Sequence, residues 1–590
     1  MDRNQRVWIS GWATVMGLGL LLLHNWVTGM EHASAHLIEI WPLYILVITL
    51  PLTFQLLAIF RRAKLLWLMT VIYVSVMSGV AVFMGWIAWP IEMNYRQVGA
   101  SELFILIVSV ASSWFILLPF AEHRLSRTSW FQDYALLFSA AWCNAAKLLT
   151  ATVFIGLLWS LLMLWAGLFK VLKVDFFYVL FTDHTFIYPV TAIAFGIGLS
   201  LYSAKEDALV GLYSACLNVI AWLLPLVSFI LLLFLLALPV QGIEPLWKTG
   251  HATTLMLSLI ASVVFLFNAA WQDGSQQKKF PNWLLTLISM SLLVMPVYIG
   301  LCIYSLSKRV DQYGWSNDRI WTAFAIMIFA SYSLGYAFNV LRRKNVWMVG
   351  VKLTHIVTAL LFVILLILFN TPLLNPYRLS VNNQVSRLLN HQIAIDDFDF
   401  EYLRFDTGRY GIEALNALLD NQSLENKAVI DKKINQALQA KYRTYKQVAH
   451  KQEWTIEKLT EHMVVFPRGT DLDQNFLELI MNELGHSKNY LYCLNEVAKT
   501  CMLLALDLNG DGKKEWIVFD DRLSQKVYQL DSQSTWKEIG RLDYRGNRLP
   551  SNQALILSLT RQDVETMPRR WQDLRVGDQE FHFQKYDLSE

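Results

Sequence analysis

Long apolar runs separated by short polar turns repeat along the chain as far as Phe369 and then stop. Each run is near the ~20 residues an α-helix needs to cross a bilayer. The pattern predicts about eleven spans, at 7–27, 38–60, 65–89, 102–121, 145–169, 185–203, 209–238, 251–271, 282–304, 320–341 and 346–369. The fifth run starts early, because the stretch from Tyr134 to Phe169 has no turn signal and exceeds one bilayer thickness. Tyr134 to Asn144 reads as an interfacial lead-in, with Lys147 snorkelling at the membrane edge. No small-residue cleavage site follows the first run, so it reads as a retained helix.

From Asn370 the pattern changes. "NTPLLNPYRLSVNNQ" is a Pro- and Asn-rich exit from the last span, and the remainder has globular charge content. Ser380 can cap a short helix that sets Val381, Val385 and Leu388 on one face. "RYGIEALNALLDN" reads as a second helix, and a longer polar-faced one runs from Asn426 to about His450. Strand periodicity then takes over in "CMLLALDL", "EWIVFDD", "KVYQLD" and "WKEIGRLDY". The expected fold is an α-helical polytopic membrane bundle over residues 1–369. A soluble α+β domain follows over 370–590, helical at 378–450 and then a small antiparallel sheet at 490–545.

Composition sharpens this picture. Hydrophobic residues make up 55% of the 590 and charged residues 16%, with mean hydropathy +0.36. That is too little charge to wet the surface of a soluble protein, and the lipid bilayer is the partner it implies. A net charge of +3 makes no case for nucleic acid. Basic residues are unevenly divided between the turns. Arg3 and Arg6 precede the first span, and Arg61, Arg62, Lys64, Arg124, Arg127, Lys205, Lys278, Lys279, Arg342, Arg343 and Lys344 lie in even-numbered turns. The opposite loops carry Arg96, Lys170, Lys173, Lys248, Lys308, Arg309 and Arg319. The excess predicts a cytoplasmic N-terminus, and an odd span count then exports the C-terminal domain. In a bacterium that means the inner membrane, with the domain in the periplasm.

In "LDLNGDGKKEW", Asp507, Asn509, Asp511, the Lys513 carbonyl and Glu515 offer hard oxygen donors at offsets that suit Ca²⁺. It is not an EF-hand, since the twelfth position is Val518 inside a strand pattern. The spacing is similar to the Asp-rich hairpin loops of integrin-type propeller repeats. An Asx-rich turn that needs no metal is the competing reading. Cys493 and Cys501 flank "LNEVAKT" and could close a small disulfide loop in an oxidising compartment. Cys143, Cys216 and Cys302 read as packed thiols in the spans.

"FDTGRYGIEAL" brackets Arg409 and Tyr410 between Gly408 and Gly411 before a helix. A structural turn, with Arg409 held by an acid such as Asp399 or Asp406, explains it. An anion site at the helix start is the alternative. Within the spans, Lys147, His24, Lys352 and His355 fall near span ends, where interface placement accounts for them. Pro51, Pro189, Pro225 and Pro296 interrupt spans, and the pairs Gly17 with Gly19 and Gly196 with Gly198 allow close helix contact. No metalloprotease, hydrolase, Walker or dinucleotide motif occurs, so no catalytic residue is assigned. Asp175, Asp183 and His184 are the acids and base an envelope enzyme would offer, and "DDFDFEY" from Asp396 reads as a solvated helix start.

The stretch "NPYRLSVNNQVSRLLNHQIAIDDFDFEYLRFDTGRYGIEALNALL", directly after a polytopic region, resembles the bacterial inner-membrane proteins catalogued as domain of unknown function 4153. "LWAGLFKVL" and "FFYVLF" are similar to the same family's membrane part. The likeness rests on Arg378, Ser380, Gln384, Arg387, Leu388 and Gly408, Arg409, Tyr410 and Gly411. It implies a membrane-plus-tail envelope protein and no reaction. The expectation is a non-enzymatic sensor, scaffold or assembly factor that presents a periplasmic domain to an envelope protein or glycan. The alternative is a transporter or lipid- or glycan-handling protein with the tail as a lid.

Overall fold

The computed structural model describes residues 3–88, 100–126, 134–202, 206–242, 244, 247, 249–274, 280–342, 348, 350–422, 425–440, 443, 455–470, 472–484, 501–508, 510–519, 524–531, 535–543, 574–576 and 579–581. The backbone forms two compact units, Met1–Lys441 and Tyr442–Glu590.

The first unit is helical. Its helices are α1 (Arg3–Thr28), α2 (Leu37–Leu56), α3 (Lys64–Ala88), α4 (Ala100–Ser126), α5 (Tyr134–Val171), α6 (Phe176–Thr182) and α7 (His184–Tyr202). They continue as α8 (Glu206–Ala221), α9 (Leu224–Gln241), α10 (Ala252–Trp271), α11 (Asn282–Tyr313), α12 (Asn317–Leu341) and α13 (Val351–Phe369). Among the described residues, 11 stretches are long and apolar enough to cross a membrane. The chain is a multi-pass membrane protein. Leu22 is 70% exposed and Phe104 68%, a surface that hydrocarbon solvates and water would not.

Several buried hydroxyls are satisfied within their own helices, which suits a hydrocarbon surrounding. Thr49 donates to the Ile45 carbonyl, Thr53 to Thr49 and Thr70 to Leu66, at 2.6, 2.7 and 2.8 Å. The small residues seen in the sequence do let helices approach. Gly17 packs on Pro189 and Gly196 on Ala13, which draws α1 against α7. Pro51, Pro189 and Pro296 lie inside continuous helices. Pro225 instead follows a break after Ala221, where its ring would meet the carbonyl one turn back and its missing N–H could make no bond. The two halves, α8 and α9, still supply one span, Tyr213–Gln241.

Two expectations need correction here. Lys147 does not snorkel: it is 6% exposed, inside an unbroken α5 of 38 residues. His355 is likewise buried at 6% between aromatic helices rather than placed at an interface.

Four more helices belong to this unit: α14 (Pro376–Leu389), α15 (Phe400–Phe405), α16 (Gly408–Asp420) and α17 (Lys427–Gln439). They share a core of Val381, Leu388, Leu403, Leu415, Leu418 and Ile434. Ser380 is not the cap of α14. Asn375 is, its Oδ1 accepting from the Tyr377 and Arg378 N–H groups at 3.1 and 3.3 Å, with Pro376 in the first turn, where a missing N–H costs nothing. Helix α17 stops at Gln439 because Ala440 turns to extended backbone. The remainder of the longer helix expected there, 444–450, lies outside the described residues.

The second unit contains α18 (Ile456–Glu461), β1 (Met463–Phe466), α19 (Gln474–Leu484), β2 (Cys501–Leu506), β3 (Glu515–Phe519), β4 (Ser524–Leu530), β5 (Trp536–Asp543), β6 (Leu574–Val576) and β7 (Gln579–Phe581). Strands β2 to β5 fall where the alternation places them. They form an antiparallel meander with Leu504 opposite Ile517 and Ile517 opposite Val527. The sheet is nevertheless mixed, since β1 adds parallel to β2 at its edge. Cys501, Leu503 and Ala505 face one core with Phe476 and Ile480 of α19, while Met502 and Leu504 face another with Phe466. Burial on both faces is why β2 reads as an unbroken apolar run.

Candidate functional site

The motif residues of α14 meet the turn between α11 and α12. A helix leaves its last carbonyls without intrahelical donors and with partial negative charge. At the end of α11 these carbonyls receive side chains from α14. Arg387 donates to Val310 at 3.3 Å and to Gln312 at 3.0 Å. Gln384 Nε2 donates to Tyr313 at 2.9 Å and to Trp315 at 2.8 Å. Asn383 Oδ1 accepts the Trp315 N–H at 2.8 Å. Gly314 makes this fit possible. Its φ is +72°, and a Cβ there would stand 2.7 Å from Arg387 Cδ and 2.8 Å from Gln384 Nε2.

A directional chain runs beside it. The Asn317 N–H donates to the Tyr402 hydroxyl at 2.9 Å, Tyr402 donates to Ser380 at 2.7 Å, and Ser380 donates to the Trp315 carbonyl at 3.2 Å. Burial raises the Tyr402 hydroxyl above its ordinary range, which keeps the donor protonated. Tyr377, beside Glu102 of α4, is held up by burial and by that carboxylate. Arg378 caps the Pro372 carbonyl at 3.0 Å.

The second half of the motif grips α3. The Arg409 guanidinium lies 4.5 Å from the Trp86 ring and pairs with Glu413 at 2.8 Å. Tyr410 meets the same indole edge-on at 5.4 Å. Gly408, at φ +57°, rests on Ile87. Gly411 is buried against Leu403 and Thr407. Asp399, offered above as a partner of Arg409, caps α15 through the Tyr402 N–H. The end of α3, the Gly314 turn and the exit of α13 therefore gather at one end of the bundle. The sequence singled out these residues and missed what they hold.

A second constellation was not foreseen. His355 of α13 bridges two hydroxyls, Tyr134 to Nδ1 at 2.7 Å and Tyr336 to Nε2 at 2.8 Å. Asn268 of α10 donates to the Tyr336 oxygen at 3.2 Å. Tyr336 can then donate to Nε2, which assigns the imidazole proton to Nδ1 and gives it to Tyr134. Trp271 closes the cluster against both His355 and Tyr134. Four helices are joined by one ring. The signal was a histidine one turn into a span, and only its neighbours distinguish that from an interfacial one.

A cavity of about 360 Å³ opens between α2, α3, α4 and α13. Its hydroxyls are already engaged: Tyr73 with Val110 and Ser113, Thr53 with the Trp114 indole at 2.9 Å, and Thr70 with Leu66. What remains for a guest is hydrocarbon wall, from Met69, Ile72, Val76 and Leu117.

A family described as domain of unknown function (DUF4153) matches residues 43–419, from α2 to the last turn of α16. The chain belongs to the DUF4153 family. No curated protein and no solved structure matches it. The DUF4153 match takes in the spans from α2 onward, the Gly314 turn and both halves of the motif, and ends before the second unit.

In that second unit the 507–515 loop joins β2 to β3. Asp507 accepts from the Gly510 and Gly512 N–H groups at 2.7 and 2.9 Å, and Asp511 from Lys513 at 2.7 Å. Glu515 is 1% exposed, taking the Leu508 N–H at 2.8 Å and the Gln529 amide at 3.1 Å. Asn509 lies outside the described residues, as does Cys493. Cys501 is buried at the start of β2, and Cys143, Cys216 and Cys302 take part in no disulfide. Back in the first unit, Asp183 receives the Thr185 N–H and hydroxyl, which hold its carboxyl below the ordinary range. The His184 ring lies 4.2 Å from that of His24 and tilted against it, and His24 bonds Tyr188 at 3.1 Å. Asp175 stands at the start of α6.

Proposed function

We propose that this DUF4153 protein is a non-enzymatic scaffold or sensor of a bacterial inner membrane. Its N-terminus is cytoplasmic, and its Tyr442–Glu590 unit is presented in the periplasm to an envelope protein or glycan. The observation that carries this reading is the motif clamp. Family residues are spent on fixing α14 to α16 to one end of the bundle, not on assembling a reactive group. The family match ends in α16 and leaves the α+β unit outside it. Export of that unit makes a Cys493–Cys501 bridge and a structural calcium in the 507–515 loop part of the same proposal. A reporter joined after Glu590 is expected to be active only in its periplasmic form. Photocrosslinkers at Lys513 and Lys537, both exposed, are expected to give a discrete adduct in growing cells. Export without any adduct from these or neighbouring surface positions would overturn the scaffold role.

A second reading, lipid handling, is favoured by the cavity beside Tyr73. Its apolar wall fits an acyl chain, and Ile72 and Val76 of that wall are exposed on the surface of the helices. Comparing lipids retained by the wild type and by a cavity-filled variant separates the two.

A further inference from the structure

A second cavity, of about 480 Å³, lies beside the turn between α2 and α3. It is lined by one face of α1, through Asn4, Trp8, Gly11, Trp12 and Val15, and by Arg61 and Arg62 of that turn. Its chemistry is graded. At the chain-terminal end stand two guanidiniums and a carboxamide, and below them lie two indoles and then valine.

The walls are fixed. The Trp8 indole N–H donates to the Phe54 carbonyl at 3.1 Å, and Trp12 stacks on Phe54 at 4.8 Å. The floor is open, since a Cβ on Gly11 would meet nothing within 4 Å. Arg3 and Arg6, both exposed on α1, and Lys64 add positive charge at the same end.

We propose that this groove binds an anionic phospholipid of the leaflet on the N-terminal side. The phosphate sits on Arg61 and Arg62, and one acyl chain runs over Gly11 between Trp12 and Val15. Two observations select a lipid over other guests. Guanidinium forks recognise phosphate oxygens in pairs, which a neutral or cationic headgroup would not use alike. The apolar floor descends along a membrane span, where a soluble phosphate has nothing to contact, and indoles at that depth are suited to the headgroup boundary. The site lies apart from the motif clamp and stands whether or not the scaffold reading holds.

The test uses the full-length protein, delipidated in detergent and followed by thermal unfolding and native mass spectrometry. Phosphatidylglycerol is expected to bind about tenfold more tightly than phosphatidylcholine. Arg61→Gln with Arg62→Gln is expected to abolish that preference while the phosphatidylcholine response stays. Gly11→Leu, which fills the floor without changing charge, is expected to weaken phosphatidylglycerol at unchanged melting temperature of the lipid-free protein. Equal binding of the two lipids by the wild type overturns the proposal. So does a full preference in the double glutamine variant, or inorganic phosphate matching the phosphatidylglycerol effect.

Discussion

Arg387 donates its Nη2 to the carbonyl of Gln312 at 3.0 Å, a residue 75 positions earlier in the chain. That bond ties the helix leaving the last span to the end of the ninth span. The Val310 carbonyl already accepts the Gly314 N–H at 2.8 Å, so Arg387 adds a second, charged donor to a helix terminus whose last carbonyls have few intrahelical partners. Arg387→Ala is expected to destabilise the full-length protein by about 1.5–3 kcal/mol, the range for hydrogen bonds to a charged group. Thermal unfolding in detergent measures this. Arg387→Lys should recover only part, because an ammonium cannot reach two carbonyls in one plane.

Gly314→Ala is expected to be worse than its size implies. The added methyl meets Arg387, Asn383 and Gln384 at a φ of +72°, so strain of about 1–2 kcal/mol combines with loss of the clamp. Combining it with Arg387→Ala should cost less than the sum of the two, as for residues that share partners. Additive losses would show that the turn and the arginine act separately.

His355→Leu removes the partner of the Tyr134 hydroxyl and the acceptor of the Tyr336 hydroxyl, which keeps only its bond from Asn268. Each unsatisfied group is expected to cost about 1–3 kcal/mol, read as a lower unfolding temperature. Tyr134→Phe in the His355→Leu background should restore part of the loss, since it removes one stranded hydroxyl. No recovery would mean that the ring acts by packing rather than by its two hydrogen bonds.

Calcium is expected to raise the unfolding temperature of the full-length protein and a chelator to lower it, if the 507–515 loop holds the ion as proposed. Asp511→Asn should remove the calcium response. Asp507→Ala should destabilise even under chelator, because it also deletes the bonds to Gly510 and Gly512. A melt insensitive to calcium in the wild type would leave the loop as a self-bonded hairpin.

A membrane-impermeant maleimide added to whole cells is expected to label Cys493 and Cys501 only after reduction, as an exported disulfide requires. Labelling that needs lysis would place the second unit on the other side of the membrane, and the scaffold's partner with it.

Hydropathy was enough to locate the spans, because crossing hydrocarbon demands ~20 apolar residues whatever the neighbours are. Alternation located β2 to β5, since each side chain's face is fixed by a period of two. The strand β1 escaped, being only four residues long and paired with a segment distant in the chain. Ser380 was read as a cap because its residue type allows it, but Asn375 with Pro376 won by standing where the free N–H groups are.

The order of apolar and polar residues by itself marked, among the described residues, the 11 stretches able to cross a bilayer and most of the regular elements. Tertiary structure alone decided what the distinctive residues are for. Ser380, Gln384 and Arg387 could be recognised as a group, yet their partners are carbonyls of a turn whose sequence carries no mark of being held. Lys147 and His355 looked interfacial because depth along a helix is legible in sequence, while the direction a side chain faces is set by the helices packed around it. Backbone acceptors and neighbouring helices are supplied by the fold, and no local pattern encodes them.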